Sequence, residues 1–257
     1  MQQNEIVATP NSGPPAPIAS WGRLIGFLLI AAGAVILGLL AQHAPSGGAA
    51  AAGSQLASHG KAIQIYLTVG LMDWALLYYC WVAVHHHGGN LATLSGDRWN
   101  SWRDLGVDLA IALPFWVLWE GVAYSARWLL ALGLPGSDLA KTVDSLLPQS
   151  LLEVLIWIGA SITAGICEEL AFRGFLQRQL HALSGSLTVA VLGQGLVFGL
   201  FHAYQGWRNV IVISILGVLY GMLAAWRRNL RINIVTHAFT DIWEGWLKFI
   251  VLPALGR

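Results

Sequence analysis

The stretch AGICEELAFRGFLQRQ, Ala164 to Gln179, sets Glu168, Glu169 and Arg173 inside or at the end of a long apolar run. Near the middle of a membrane helix each charge costs roughly 2.5–3.5 kcal/mol, against a gain of about 0.3–0.6 kcal/mol for each Leu or Ile. Three such residues cancel the insertion energy of most of a helix unless they pair or face water. Ionisable residues at membrane depth mark a functional site by default, and their partners have to be found elsewhere in the chain. The candidates are His202, His237 and Asp241.

The spacings around these residues are informative. Glu169 and Arg173 stand at i, i+4, share a helix face and can pair. Glu168 is rotated by about 100° from Glu169 and can face another way. In Phe198-Gly-Leu-Phe-His202 the Phe198 ring lies one turn below the imidazole. Asn233, His237 and Asp241 stack an amide, an imidazole and a carboxylate on one face at i, i+4, i+8.

The chain around this constellation has 257 residues, of which 56% are hydrophobic and 11% charged. A soluble domain carries about 25% charged residues. So small a charged fraction cannot coat a globule of this size in water, so the composition predicts an all-α integral membrane protein. A net charge of +1 gives no reason to expect a nucleic-acid partner. Cys80 and Cys167 both lie in apolar runs and read as small buried hydrophobes rather than as a disulfide.

Hydropathy predicts about seven transmembrane helices. Residues 1–20 are polar and Pro-rich and read as a disordered lead-in; residues 21–257 read as a single transmembrane domain. Leu24–Ala41 is the first span; its length and the long neutral segment before it argue against a signal peptide. A Gly/Ala/Ser loop over 42–61 leads to a second span, Ala62–Val84, interrupted only by Asp73. A polar loop over 85–104 holds His85, His86 and His87, three consecutive imidazoles that cannot all face one site. The third span is Leu105–Tyr124, with Asp108 and Glu120 expected at its two ends, followed by a loop over 125–150. Leu151 to about His181, Leu187–Tyr204, Val210–Trp226 and Ile232–Val251 complete the bundle. Gly195-Leu-Val-Phe-Gly199 and Gly217-Val-Leu-Tyr-Gly221 both read GxxxG, which lets helices approach closely in lipid. The basic cluster Arg227, Arg228, Arg231 favours a cytoplasmic N-terminus.

Ser184-Gly185-Ser186 is the turn between the fourth and fifth spans. Gly185 is 17 residues from Glu168 on one side and 17 from His202 on the other. In an antiparallel hairpin both side chains then lie about 25 Å from the turn and can meet, provided the fourth helix continues through Arg173 and Arg178. His237 fits less well: only six residues past Arg231, it is expected nearer the cytoplasmic surface.

A carboxylate and an imidazole that share one water make a general base. A second imidazole opposite can donate to a developing oxyanion, with Asp241 fixing its tautomer. Alternatively, Glu168, His202 and His237 hold a zinc ion with a water in the fourth position. Both arrangements hydrolyse an amide in or near a bilayer. Taken singly, a Glu169–Arg173 pair is an ordinary helix-stabilising contact and His202 an ordinary packed histidine. Their joint occurrence in a charge-poor bundle is what points to a site.

The three motifs together resemble the CPBP intramembrane proteases, the family of the type II CAAX prenyl proteases and the Abi bacteriocin-processing and immunity proteins. EExxxR is similar to Glu168-Glu169-Leu-Ala-Phe-Arg173, FxxxH to Phe198 through His202, and HxxxN/D to His237 through Asp241. The resemblance covers about residues 151–251. It implies a multi-pass protein of a bacterial inner membrane and an endopeptidase cleaving near a membrane-anchored or lipidated substrate terminus. It also implies that Glu168 activates water with His202, that His237 and Asp241 stabilise the oxyanion, and that Glu169 and Arg173 support them. Asp241 stands where the prenyl proteases of this family have Asn. The resemblance leaves open a divalent metal such as zinc or a metal-free glutamate mechanism. A non-catalytic immunity or scaffold protein of the same fold is the alternative, and a proton-coupled transporter a more distant one. Other intramembrane protease signatures, HExxH, GxGD and GxSG, do not occur in the chain.

Overall fold

The computed structural model describes residues 15–43, 54–96, 99–133 and 147–251, and these fold as helices with no named strand. In chain order the elements are α1 (Trp21–His43), α2 (Ser54–His85), the short α3 (Leu91–Ser95) and α4 (Trp102–Gly133). Then come α5 (Leu151–Glu168), a π-helical stretch (Glu169–Gln177) and α6 (Arg178–Ser184), which form one continuous rod. After these follow α7 (Leu187–Phe201), a 3₁₀ turn (Ala203–Gln205), α8 (Trp207–Arg227), α9 (Arg231–Trp246) and a π turn (Leu247–Val251).

Ala62–His85, Trp102–Gly133, Leu151–Ser184 and Trp207–Arg227 are long and apolar enough to cross a membrane, and Trp21–Leu37 and Leu187–Phe201 are shorter apolar helices. Large apolar side chains such as Leu71, Trp74, Leu113 and Leu132 stay exposed on the outside of the bundle. In water that surface would be untenable; against lipid it is the expected exterior. The expected polytopic α-bundle is what the chain forms.

Several boundaries differ from those the sequence suggests. The second helix begins at Ser54, so part of the expected Gly/Ala/Ser loop is helical; residues 44–53 lie outside the described residues. The expected third span, α4, runs from Trp102 to Gly133 rather than ending at Tyr124, which puts Glu120 in mid-helix instead of at an end. The remainder of the expected loop over 125–150 lies outside the described residues for 134–146. Of the expected disordered lead-in, residues 1–14 also lie outside them. Residues 18 and 19, by contrast, are tied down. Their backbone N–H groups donate to Gln179 Oε1 at 3.1 Å each, and Gln179 Nε2 donates to the Ala19 carbonyl at 2.6 Å.

The polar loop over 85–104 contains α3, which hydropathy does not reveal. Its capping box pairs Asn90 with Thr93, and Leu94 is fully buried. The Thr93 carbonyl accepts from Arg178, the Ser95 carbonyl from Leu230 N–H at 3.0 Å, and Gly96 bridges to Asn229. This small element therefore seals one end of the bundle between the α5–α6 rod and the start of α9. His85, the last residue of α2, stacks on Trp81 at 5.4 Å, and His86 and His87 form the exposed turn beyond it.

Two turns set the register of the core. Gly185 ends α6 with φ +68°, a conformation that L side chains resist, and Ser186 caps α7 by accepting from Val189 N–H. The hairpin expected at Ser184-Gly185-Ser186 forms. Across from it α7 and α8 touch through their glycines. A Cβ placed on Gly195 would meet Val218 N at 2.9 Å, and one on Gly217 would meet Gly195 Cα at 2.9 Å. Only hydrogen at both positions permits this approach, as the two GxxxG segments predict. Cys80 and Cys167 are free and buried, in keeping with their reading as small hydrophobes.

Candidate active site

The π-helical stretch carries the first group of charges, and all nine of its residues are buried. π-Helical turns are rare and concentrate at functional sites. Within it Arg173 donates to Glu169 Oε1 at 2.9 Å, with both side chains sealed from solvent. Its second nitrogen donates to the Gly217 carbonyl at 3.3 Å, and the guanidinium lies 4.2 Å from the Phe198 ring centroid and 5.3 Å from that of Tyr220. Glu169 Oε2 accepts from Asn233 Nδ2 at 3.1 Å, and that amide also donates to the Tyr220 carbonyl at 2.9 Å. The pair is thus bounded by the Asn233 amide, the Gly217 carbonyl and two rings, which offset much of the cost of burying it, although Arg173 Nε has no hydrogen-bond partner among the described residues.

Glu168 points the other way, into a cavity of about 190 Å³. Its Oε2 atom lies 3.9 Å from His202 Nε2 and 3.8 Å from His237 Nε2. His202 ends α7 as its C-cap rather than sitting inside a longer helix, and its Nδ1 lies 2.9 Å from the Phe198 carbonyl. Nδ1 therefore carries the proton, leaving the Nε2 lone pair toward Glu168. The Phe198 ring packs edge-on against both His202 and His237, at 4.8 and 6.1 Å.

His237 reaches the same depth although it lies so near Arg231. Asp108 explains this. It receives Arg227 at 2.9 Å, Arg231 at 2.7 Å and the Trp99 indole at 2.7 Å, while only 4% of its own side chain is exposed. The basic end of α9 is thus drawn into the bundle and covered by α3, so the helix starts deeper than its charges suggest. Arg173 too is internal.

The tautomer of His237 is fixed by Glu169 rather than by Asp241 as expected. Nδ1 lies 2.9 Å from Glu169 Oε1, whereas Nε2 is 3.8 Å from Asp241 Oδ2, beyond hydrogen-bond range. Asp241 instead flanks Nε2, and its backbone carbonyl accepts from the Trp157 indole at 2.6 Å.

The rest of the cavity wall was not legible from motifs. Tyr204 stacks on His202 at 6.1 Å, and Trp157, Tyr66 and Tyr220 line the opposite side. Arg127 and Glu244, 3.4 Å apart and partly exposed, stand at its rim. Aromatic and Gln residues at these places carry no distinctive spacing.

A metal ion would have to be held by Glu168, His202 and His237. Ligands about 2.0–2.2 Å from zinc in a tetrahedron stand about 3.3–3.6 Å apart, closer than the 3.8 and 3.9 Å between these atoms. Among the described residues no three His, Cys, Asp or Glu side chains are disposed to hold a metal ion. The donors as arranged do not fit a metal centre.

Fold and site together define a polytopic, all-α integral membrane protein with an acid–imidazole cluster in a buried cavity. Residues 150–243 match the family model described as type II CAAX prenyl endopeptidase, Rce1-like. The match agrees with the resemblance carried by the three motifs, all of which lie inside it. At the level of the family, the segment is that of a CAAX-protease-like membrane peptide hydrolase. No curated protein and no solved structure matches the chain.

Proposed function

We propose that the chain is an intramembrane endopeptidase that hydrolyses a peptide bond near the membrane-anchored or lipidated terminus of its substrate. In this reading residues 21–257 form one transmembrane domain, with the catalytic region over about 151–251. The protein lies in a bacterial inner membrane, and Arg227, Arg228 and Arg231 support a cytoplasmic N-terminus.

The observation that carries the reading is the placement of two imidazole Nε2 atoms 3.8 and 3.9 Å from one carboxylate oxygen of Glu168. One water fits between Glu168 Oε2 and His202 Nε2 at ordinary hydrogen-bond lengths. Both groups accept, so both water hydrogens are engaged and the oxygen lone pair is free to attack the scissile carbonyl carbon. As the new C–O bond forms, Glu168 takes the proton. The carbonyl oxygen gains charge and is met by the Nε2–H of His237 in its doubly protonated, imidazolium form, whose charge Glu169 balances behind Nδ1–H. Glu168 then passes its proton to the amide nitrogen, and the C–N bond breaks. Glu169, Arg173, Phe198 and Asn233 keep the second imidazole in place, and Asp241 sits beside its Nε2. This route needs no metal.

Cleavage of a reporter peptide by purified protein tests the proposal. Glu168→Gln and His202→Ala, each inserted and expressed normally, are expected to reduce turnover by at least about 100-fold, the lower end of general-base effects. Full cleavage by both variants would sink the catalytic reading and leave the immunity or scaffold alternative.

A further inference from the structure

Glu169 is held by three hydrogen-bond partners, yet Glu168 Oε2 has none among the described residues. A base that must face two imidazoles needs something to fix its carboxyl. The α2 side of the cavity leads to one candidate, just beyond its lining residues. Tyr66, Val69 and Gly70 of α2 line the cavity, and Asp73 follows them at i+7, i+4 and i+3, on the same helical stripe one turn further along.

The packing of α2 against α5 sets the depth of Asp73. The two helices run parallel: Tyr66 lies against Trp157, with ring centroids 5.2 Å apart, and Gly70 lies beside Thr163. Continuing that register brings Asp73 level with Cys167 and Glu168. The titratable groups within electrostatic reach of it are Cys167 and Glu168 from α5, His237 and Asp241 from α9, and Tyr204. Asp73 is 1% exposed, and neither of its carboxyl oxygens has a hydrogen-bond partner among the described residues. Its helix neighbours Leu76, Leu77 and Cys80 are apolar and buried. A partnerless acid among them destabilises the fold, and a leucine would serve packing better.

We propose that Asp73 is a positioning residue of this site, which hydrogen-bonds the carboxyl of Glu168 through one bridging water and holds Oε2 toward His202 and His237. The inference rests on the endopeptidase reading above and adds a residue from α2, outside the matched segment 150–243. Asp73 takes no part in bond making; it acts through Glu168.

Asp73→Leu, Asp73→Glu and Glu168→Gln distinguish the possibilities in the reporter assay. Asp73→Leu is expected to lower kcat by about tenfold or more, the size found for outer partners of a reacting group, with KM within twofold and Tm equal or higher. Asp73→Glu is expected to recover part of the lost kcat, because its carboxyl reaches the same water. If Asp73→Leu keeps kcat within twofold while Glu168→Gln is inactive, the positioning role is overturned and the endopeptidase reading stands. If kcat and Tm fall together and Asp73→Glu recovers neither, Asp73 is structural and the inference is likewise overturned. Activity in Glu168→Gln removes the larger reading and this one with it.

Discussion

Glu169 holds the imidazole of His237: Glu169 Oε1 lies 2.9 Å from Nδ1 and also receives Arg173 at 2.9 Å. One carboxylate oxygen therefore joins the buried ion pair to the ring that faces the cavity. In the proposed mechanism the second acid of the EExxxR segment is therefore the orienting group, rather than the acid one turn beyond His237.

This difference predicts unequal effects for two carboxylates. Glu169→Gln is expected to lower kcat by about 10- to 100-fold, as loss of an outer partner of a reacting imidazole does. Asp241→Asn is expected to stay within a few-fold of the parent, since the 3.8 Å separation is not a hydrogen bond. Steady-state kinetics on the same reporter compare them directly, and a larger loss in Asp241→Asn would reverse the assignment.

The ion pair itself predicts a non-additive stability pattern. Arg173→Leu takes the guanidinium from the buried Glu169 and leaves it only His237 and Asn233, at a cost of up to about 3–5 kcal/mol. Removing both charges, with Glu169→Gln added to Arg173→Leu, is expected to recover a good part of that. Thermal unfolding in detergent measures both; equal Tm values would mean that the pair is not the buried contact seen between residues of 0% exposure.

A metal-free mechanism predicts insensitivity to chelation. Purified protein treated with a strong chelator is expected to keep its turnover, and metal analysis to find well below one equivalent of zinc. Loss of activity restored by added zinc would mean that Glu168, His202 and His237 close around an ion when substrate binds.

The α7–α8 contact predicts position-specific cost at glycines. Gly217→Ala pushes a Cβ against Gly195 Cα and is expected to cost about 1–3 kcal/mol through overpacking. Gly33→Ala on α1 meets nothing within 4 Å and is expected to be neutral or mildly stabilising. Comparable Tm values for the two variants would show that α7 and α8 can separate at little cost.

By itself the sequence determined the class of molecule, the seam between α7 and α8, the hairpin at Gly185 and the meeting of Glu168 with His202. Each follows from a local regularity: apolar length, small residues four apart, an αL glycine, and equal distances from one turn. The tertiary structure alone decided which acid serves His237, why that ring lies so deep, and that Asp73 lines up with Glu168. The i, i+4 relation of His237 and Asp241 shows only that they share a helix face. Glu169 reaches the ring because the π-helical stretch and α9 pack side by side, and Asp108 draws in Arg227 at the end of α8 and Arg231 at the start of α9 from more than a hundred residues away in the chain. Contacts between distant segments are set by packing and by the need to satisfy buried charge, and no spacing within one helix encodes them.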